Sequence, residues 1–189
     1  LEVHVLPVPS SEFSARRFRD LSDSLAGKVR RAGLAPDNVA LDAVQSGGVV
    51  DVTFPSTERT SWNEPQHAAP VGVRVHQSGQ VSVFSRLPGD GLGIVLDSTE
   101  LPDQIAGVLR AVDQLGVVTG EQIAIAVGVD PGSPVGRGSV AQLPRSRASL
   151  GLGSTGAIRV TPDESVTTAA LGTGSEEVAA FLARSPIDA

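Results

Sequence analysis

The sequence contains no cysteine, no methionine and no tyrosine, and a single lysine, Lys28, stands among fifteen basic residues. Without cysteine the chain can form neither disulfides nor thiolate metal sites. Because Val29 follows the one lysine, the G-x-x-x-x-G-K-[ST] phosphate loop is excluded. A chain that begins at Leu1 and holds no methionine is expected to be a fragment of a longer protein, a processed chain or a trimmed one.

Aromatic residues are scarce, at 3% of the sequence, whereas apolar residues make up 40%. The core must therefore consist of Val, Leu, Ile and Ala, and the clusters of Val favour strands. The formal charge is −6, which argues against general affinity for nucleic acid or anionic membranes. No apolar run approaches the roughly 20 residues of a membrane span, so the sequence predicts no membrane partner.

Hydrophobic periodicity predicts a strand over Leu1–Val8 and a helix from about Phe13 to Ala32, with Ser10 or Ser11 as its N-cap. The other predicted elements follow from period-two or helical patterns separated by turn residues. They are strands at 39–44 and 49–54 joined across a turn at 45–48, a hairpin at 71–83, a strand at 92–96, a helix from Asp97 to Leu115, a strand at 122–129, a second hairpin from 157–160 to 165–170, and a helix from Glu176 to Arg184 that is apolar at Val178, Phe181 and Leu182 and that Pro186 ends.

The two hairpins resemble each other when residues 73–83 are aligned without a gap to residues 158–168. The alignment predicts two β-β-β-α units, at 38–116 and 121–185, preceded by a strand and a helix in 1–37. The alternative is that hairpins share residues for reasons of propensity alone. The sequence therefore predicts a single α+β domain over 1–189, with mixed or antiparallel sheets and about three helices. Whether the domain contains a pseudo-duplication or two hairpins that are similar by propensity alone is left open.

Two segments rich in polar or glycine residues lack a regular pattern. Residues 55–70 contain Trp62 and are either partly disordered or a functional loop, with Trp62 expected to pack against the core. Residues 151–156 match G-x-G-x-x-G, but no helix follows them. Since dinucleotide binding needs that helix, the motif is interpreted as a flexible connection and no cofactor is predicted.

The candidates for metal chemistry are few. His4, His67 and His76 are far apart in the sequence, and a zinc site would need all three with a carboxylate. The alternative, exposed histidines on strands, is favoured, and no metal is predicted. Asp90, between two glycines, and Asp97 could offer oxygen ligands to a cation, or could form a turn followed by a helix N-cap.

Arginines supply the candidate contacts for an anion or a nucleic acid. Four lie on the outer face of the first predicted helix, and three lie in a later loop rich in glycine, proline and serine. Their guanidinium groups could bind phosphate or carboxylate, and the alternative is a solvated surface. The predicted contacts are Arg16, Arg17, Arg30, Arg31, Arg137, Arg145 and Arg147.

Four stretches, Glu2–Val8, Arg74–His76, Leu87–Gly93 and Val95–Asp97, resemble the C-terminal region of actinobacterial regulatory proteins. Those proteins carry an N-terminal Schlafen-type AlbA-like domain that is associated with ATP or DNA binding and is not present in this sequence. The resemblance covers much of the chain and implies a cytoplasmic regulatory context. It supplies no catalytic residue that could be transferred to this chain.

We predict a non-enzymatic function: a binding, dimerisation or sensory module of a larger cytoplasmic regulatory protein. Its partner would be another protein or a second copy, with nucleic acid engaged through the parent protein. An exposed hairpin edge such as Val71–Leu87 could pair with a partner strand. Two alternatives remain open: direct nucleic-acid binding through the arginines, and a small-molecule enzyme. The enzyme would need a deep polar pocket between the two units with a histidine or two carboxylates.

Overall fold

The computed structural model of the protein describes residues 1–35, 38–55, 64–130, 134–145, 157–160 and 164–188. Within these residues it contains three α-helices and eleven β-strands. One sheet is antiparallel throughout and a second, small sheet is mixed. The predicted α+β class is confirmed. Trp62, Arg147 and the glycine motif at 151–156 lie outside the described residues.

The secondary-structure elements follow the chain in this order: β1 (Glu2–Val8), α1 (Ala15–Arg31), β2 (Ala43–Ser46), β3 (Val49–Thr53), β4 (Ala69–His76), β5 (Val81–Arg86), β6 (Gly89–Asp90), β7 (Gly93–Leu96), α2 (Glu100–Leu115), β8 (Gln122–Val129), β9 (Val135–Arg137), β10 (Ile158–Val160), β11 (Val166–Thr167) and α3 (Ser175–Asp188). Two short 3-10 turns cover Val140–Gln142 and Thr168–Leu171.

The N-terminal strand lies in the interior of the large sheet, whose order is β10-β8-β1-β5-β4-β3-β2. Strand β1 is antiparallel to both neighbours, with Val3 opposite Val83 on one side and Val127 on the other. Strands β6, β7 and β9 form the small sheet, in which β7 and β9 are parallel. Helix α1 packs against β2, β3 and α2, and α3 packs against α2, β8 and β10.

One face of the large sheet carries the core. Alternate residues of β1, β5 and β8 are fully buried, among them Val3, Val81 and Ile125. They form one continuous cluster with the apolar stripes of the three helices. Because side chains alternate across a strand, the intervening residues of the same strands lie on the opposite face. No described helix packs on that face, which we call the open face.

The N-cap of helix α1 lies three to four residues later than the predicted N-caps. Ser14 is the N-cap, and its Oγ accepts a hydrogen bond from the Arg17 amide at 3.3 Å. Phe13 is buried directly before the cap and stacks on Phe18 in the first turns of the helix, with ring centroids 6.4 Å apart. This hydrophobic staple favours Ser14 over Ser10 and Ser11 as the cap.

The hairpin predicted at 71–83 is confirmed by the pairing of β4 with β5, whereas the hairpin predicted at 157–170 is wrong. Strands β10 and β11 both pair with β8, antiparallel to it, so they run in the same direction along one edge. Pairing with the long strand β8 lets Ile158, Val160 and Val166 pack against the core, which a separate hairpin would not. The alignment behind the predicted duplication therefore does not join equivalent structures.

Two expectations for the C-terminal helix are also wrong. Pro186 does not end α3, which continues to Asp188 because Ile187 still packs against the core. Phe181 was predicted on the apolar face, but it is 65% exposed. The buried stripe consists instead of Ala179, Leu182 and Ala183, and Phe181 points away from it.

Candidate functional site

The predicted arginine contacts do not form one surface. Arg16, Arg17 and Arg31 are exposed on α1, whereas Arg30 donates from Nη2 to the Val39 carbonyl at 2.7 Å. The Arg17 guanidinium lies 5.0 Å from the centroid of the Phe13 ring. The segment 134–145, which holds the other described candidates, pairs with β7 and not with α1. Anion binding by these arginines stays a prediction.

Arg145 is occupied by a carboxylate within its own chain. Its Nε and Nη2 donate to the two oxygens of Asp90 at 2.9 and 2.7 Å, and its backbone amide adds a third bond at 2.8 Å. The two side chains are 10% and 2% exposed. The hydrogen bonds from the Arg145 side chain hold the pKa of Asp90 well below its usual range. Because Nε and Nη2 already donate to Asp90, the guanidinium has few hydrogen-bond donors left for an external phosphate.

Asp97 is the second buried carboxylate, and backbone amides bind it. Val140 and Thr99 donate to it at 2.8 and 2.9 Å, and Glu100 at 3.4 Å. The hydrogen bond from the Val140 amide is the largest of the effects that lower the pKa of Asp97. Asp90 and Asp97 therefore anchor segment 134–145 through the Arg145 and Val140 amides. Asp97 lies two residues before Thr99, the N-cap of α2, and accepts the amides of Thr99 and Glu100 at the start of the helix.

A cleft of about 570 Å³ lies beside the small sheet. Its lining contains two carboxylates, Asp90 and Asp130, and three glycines of the 89–93 segment. Asp90 is saturated by Arg145 and by the Leu92 amide at 2.9 Å. Two carboxylates that act as general acid and general base must both lie within hydrogen-bond reach of the substrate. The cleft thus contains the two carboxylates that the enzyme hypothesis requires, but the hydrogen bonds of Asp90 leave that carboxylate without a free oxygen for a substrate.

The open face carries a directed row of hydrogen bonds that spans two strands. Gln80 Nε2 donates to Ser82 Oγ at 3.1 Å, and Ser82 Oγ lies 2.8 Å from His4 Nδ1. His4 Nε2 lies 3.3 Å from Glu2 Oε2. The consistent proton assignment has the Ser82 hydroxyl donating to Nδ1 and the Nε2 proton donating to Glu2. The row joins β5 to β1.

A second set of contacts continues across β4 and β3. Arg74 Nε donates to Asp51 Oδ1 at 2.6 Å, and the Arg74 guanidinium lies 5.6 Å from the centroid of the Phe84 ring. Phe84 meets the His4 ring edge-on, at 6.3 Å between centroids and 82° between planes. Charged and aromatic side chains from four neighbouring strands thus touch in sequence, and the central part of the open face is held in one arrangement.

The other end of the open face contains an arginine, Arg159, above small residues. Strand β8 presents Ala124, Ala126 and Gly128 there, and Arg159 of β10 lies opposite Gly128. A trough of about 270 Å³ lies between Arg159 on one side and Glu2 with His4 on the other. Arg159 is exposed and makes no hydrogen bond or ion pair with another described residue.

The Glu2–His4–Ser82 row contains the residue types of a serine-hydrolase triad. Ser82 is only 1% exposed, since neighbouring side chains cover it, and its hydroxyl already accepts from Gln80. A nucleophilic oxygen must reach a substrate carbonyl at about 3 to 3.5 Å. The burial of Ser82 prevents that approach, so the row is a structural network on the sheet surface.

His76 lies on the open face near Arg74, Asp51 and His4. Burial lowers the pKa of His76, the Arg74 and His4 charges lower it further, and Asp51 opposes them. The stability that neutral His76 contributes is present above the pKa of about 6.5 of an unfolded chain, and it is lost as pH falls below that value. We expect His76→Gln to flatten the fall in unfolding free energy between about pH 6.5 and 5, measured by urea titration. An unchanged slope would contradict this.

Sequence reasoning missed the open face as a site. The alternation of Glu2 and His4 on β1, and of Arg74 and His76 on β4, was visible in the sequence. That signal assigns each pair to one face of its strand. Which strands are neighbours was not visible, because β1 is inserted between β5 and β8, which lie far along the chain.

Comparison with known proteins gives no relative: no protein family, no curated protein and no solved structure matches the chain. Among the described residues, no helix is long and apolar enough to span a membrane. The same part of the chain contains no cluster of three or more metal-ligating side chains.

Proposed function

We propose that this chain is a non-enzymatic self-association module of a larger cytoplasmic regulatory protein, and that two copies associate through the open face of the sheet. The observation that carries the proposal is the Arg159 trough, where Arg159, which pairs with no other described residue, and the Glu2 carboxylate flank a strip of small residues. A face with both charge signs on either side of a flat strip is complementary to itself.

The hairpin edge that the sequence suggested is not available for a partner strand. Strand β4 pairs with β3 and β5, and β5 pairs with β4 and β1, so both strands of Val71–Leu87 lie inside the sheet. That prediction is wrong because β1 fills the position beside β5. Association through the face, not through this edge, is therefore the arrangement that we propose.

The buried Ser82 hydroxyl and the saturated Asp90 carboxylate favour association over catalysis. The part of the open face beside the trough is also held in place, since its polar groups are paired in the Glu2–His4–Ser82 row and the Arg74–Asp51 ion pair. A surface whose side chains are held in place loses less conformational entropy when a partner binds.

The test is solution mass by light scattering over a concentration series, with Ala126→Arg as the disruptive variant. Ala126 lies on the floor of the trough, so a long charged side chain would separate two facing sheets. We expect mass to rise with concentration for the unaltered chain and to stay at 19.3 kDa for this variant. Ala180→Arg, on the exposed side of α3, is the matched control and should associate normally.

A further inference from the structure

We infer that Arg159 of each copy binds Glu2 of the other, in a two-fold dimer whose axis runs along strand β8. This inference rests on the proposed self-association and specifies its contacts. Arg159, Gly128 and Glu2 occupy one row across β10, β8 and β1. Gly128 is midway between the two charged residues, so the row is symmetrical in position and opposite in charge about β8.

The geometry of the two-fold axis follows from this row. The axis is parallel to β8 and lies midway between the two facing sheets. A two-fold rotation about it places β10 of one copy over β1 of the other, and β1 over β10. Arg159 of one copy then faces Glu2 of the second, and the reverse contact forms at the same time. Two equivalent ion pairs result, whereas an axis along β1 would place Glu2 against Glu2.

The strip along the axis suits a close approach of two sheets. Ala124, Ala126 and Gly128 of one copy would face the same residues of the other. Packed sheets are normally about 10 Å apart, and small side chains let them come closer. Long side chains at the flanks, Arg159 and Glu2, can then reach across the gap to each other.

The expected dimer is weak. Strands β10, β8 and β1 lie about 4.8 Å apart, and β10 is only three residues long, so the patch measures at most roughly 15 by 20 Å. That is about 300 Å² per copy, well below the roughly 800 Å² per partner of a standard interface. The ion pairs at the rim of such a patch are screened by salt. We therefore expect association at high micromolar concentrations that weakens as ionic strength rises.

The test is a charge-reversal cycle followed by sedimentation equilibrium at low salt. Arg159→Glu places like charges at both contacts and should raise the dimer dissociation constant about tenfold or more. Glu2→Arg should have a similar effect. The double variant, Glu2→Arg with Arg159→Glu, restores opposite charges across the axis and should return the constant to within about threefold of the unaltered chain.

Arg19→Glu, on the exposed face of α1, makes the same charge change away from the trough and is the matched control. Circular dichroism would confirm that every variant is folded. If the double variant dimerises as weakly as the single variants, the Arg159–Glu2 contact is overturned. The proposed function is tested separately by the dimerisation of Ala126→Arg. A chain that is monomeric at every concentration would overturn both, and would leave the open face to a partner of another sequence.

Discussion

Replacing Arg145 with alanine is expected to lower the free energy of unfolding by about 3 kcal/mol. The guanidinium makes two hydrogen bonds to Asp90, and the carboxylate side chain is 2% exposed. Its removal leaves a buried charge without its counter-ion, which costs more than the ion pair contributes. For a chain of this length we expect the thermal midpoint to fall by about 6 to 12 °C, measured by circular dichroism.

Two further variants separate charge from packing at this site. Asp90→Asn combined with Arg145→Ala removes the stranded charge, so the double variant should be more stable than Arg145→Ala alone. Arg137→Ala, an exposed arginine of the neighbouring strand β9, should change stability by no more than about 0.5 kcal/mol. A loss at Arg145 no larger than at Arg137 would show that the Asp90 pair does not hold segment 134–145.

Gly93→Ala is the second substitution with a large expected effect, a loss of about 2 to 4 kcal/mol. Gly93 has a φ of 122°, and a Cβ there would lie 2.2 Å from the Pro134 carbonyl oxygen. That oxygen accepts the Ile94 amide at 2.8 Å and so begins the pairing of β7 with β9. Because the obstacle is backbone, relief requires β9 to move away.

Gly107→Ala is the matched control for this substitution. Gly107 lies within α2, and a Cβ at that position would meet no atom within 4 Å. Alanine should therefore stabilise the helix by about 0.5 to 1 kcal/mol. Urea unfolding monitored by circular dichroism would give both values. Equal effects of the two substitutions would contradict the close approach of β7 and Pro134.

The elements with strong local patterns could be predicted from the sequence. The period-three and period-four stripe of α2 and the alternating valines of β4 and β5 specify both the type and the buried face of their elements. The turn at Gly47-Gly48 could also be predicted, because a tight hairpin turn requires positive φ at both central residues and glycine adopts it readily. Both glycines have positive φ in the structure. These signals depend on neighbours within a few residues.

The arrangement of the candidate site could not be predicted in the same way. His4 contacts Ser82, 78 residues away, and Asp90 binds Arg145, 55 residues away. Neither pair has a local signature, since propensity and periodicity carry no information on which strands become neighbours. The arginine prediction shows the consequence: Arg145 was interpreted as an anion contact because the sequence could not reveal the buried carboxylate that occupies it.

Sedimentation equilibrium of the unaltered chain and Ala126→Arg, from about 10 μM to about 1 mM at low salt, tests the central claim most directly. The open-face account predicts a reversible dimer of the unaltered chain and a monomer of the variant at every concentration. A chain that stays monomeric throughout, or a variant that dimerises as the unaltered chain does, would contradict association through the open face.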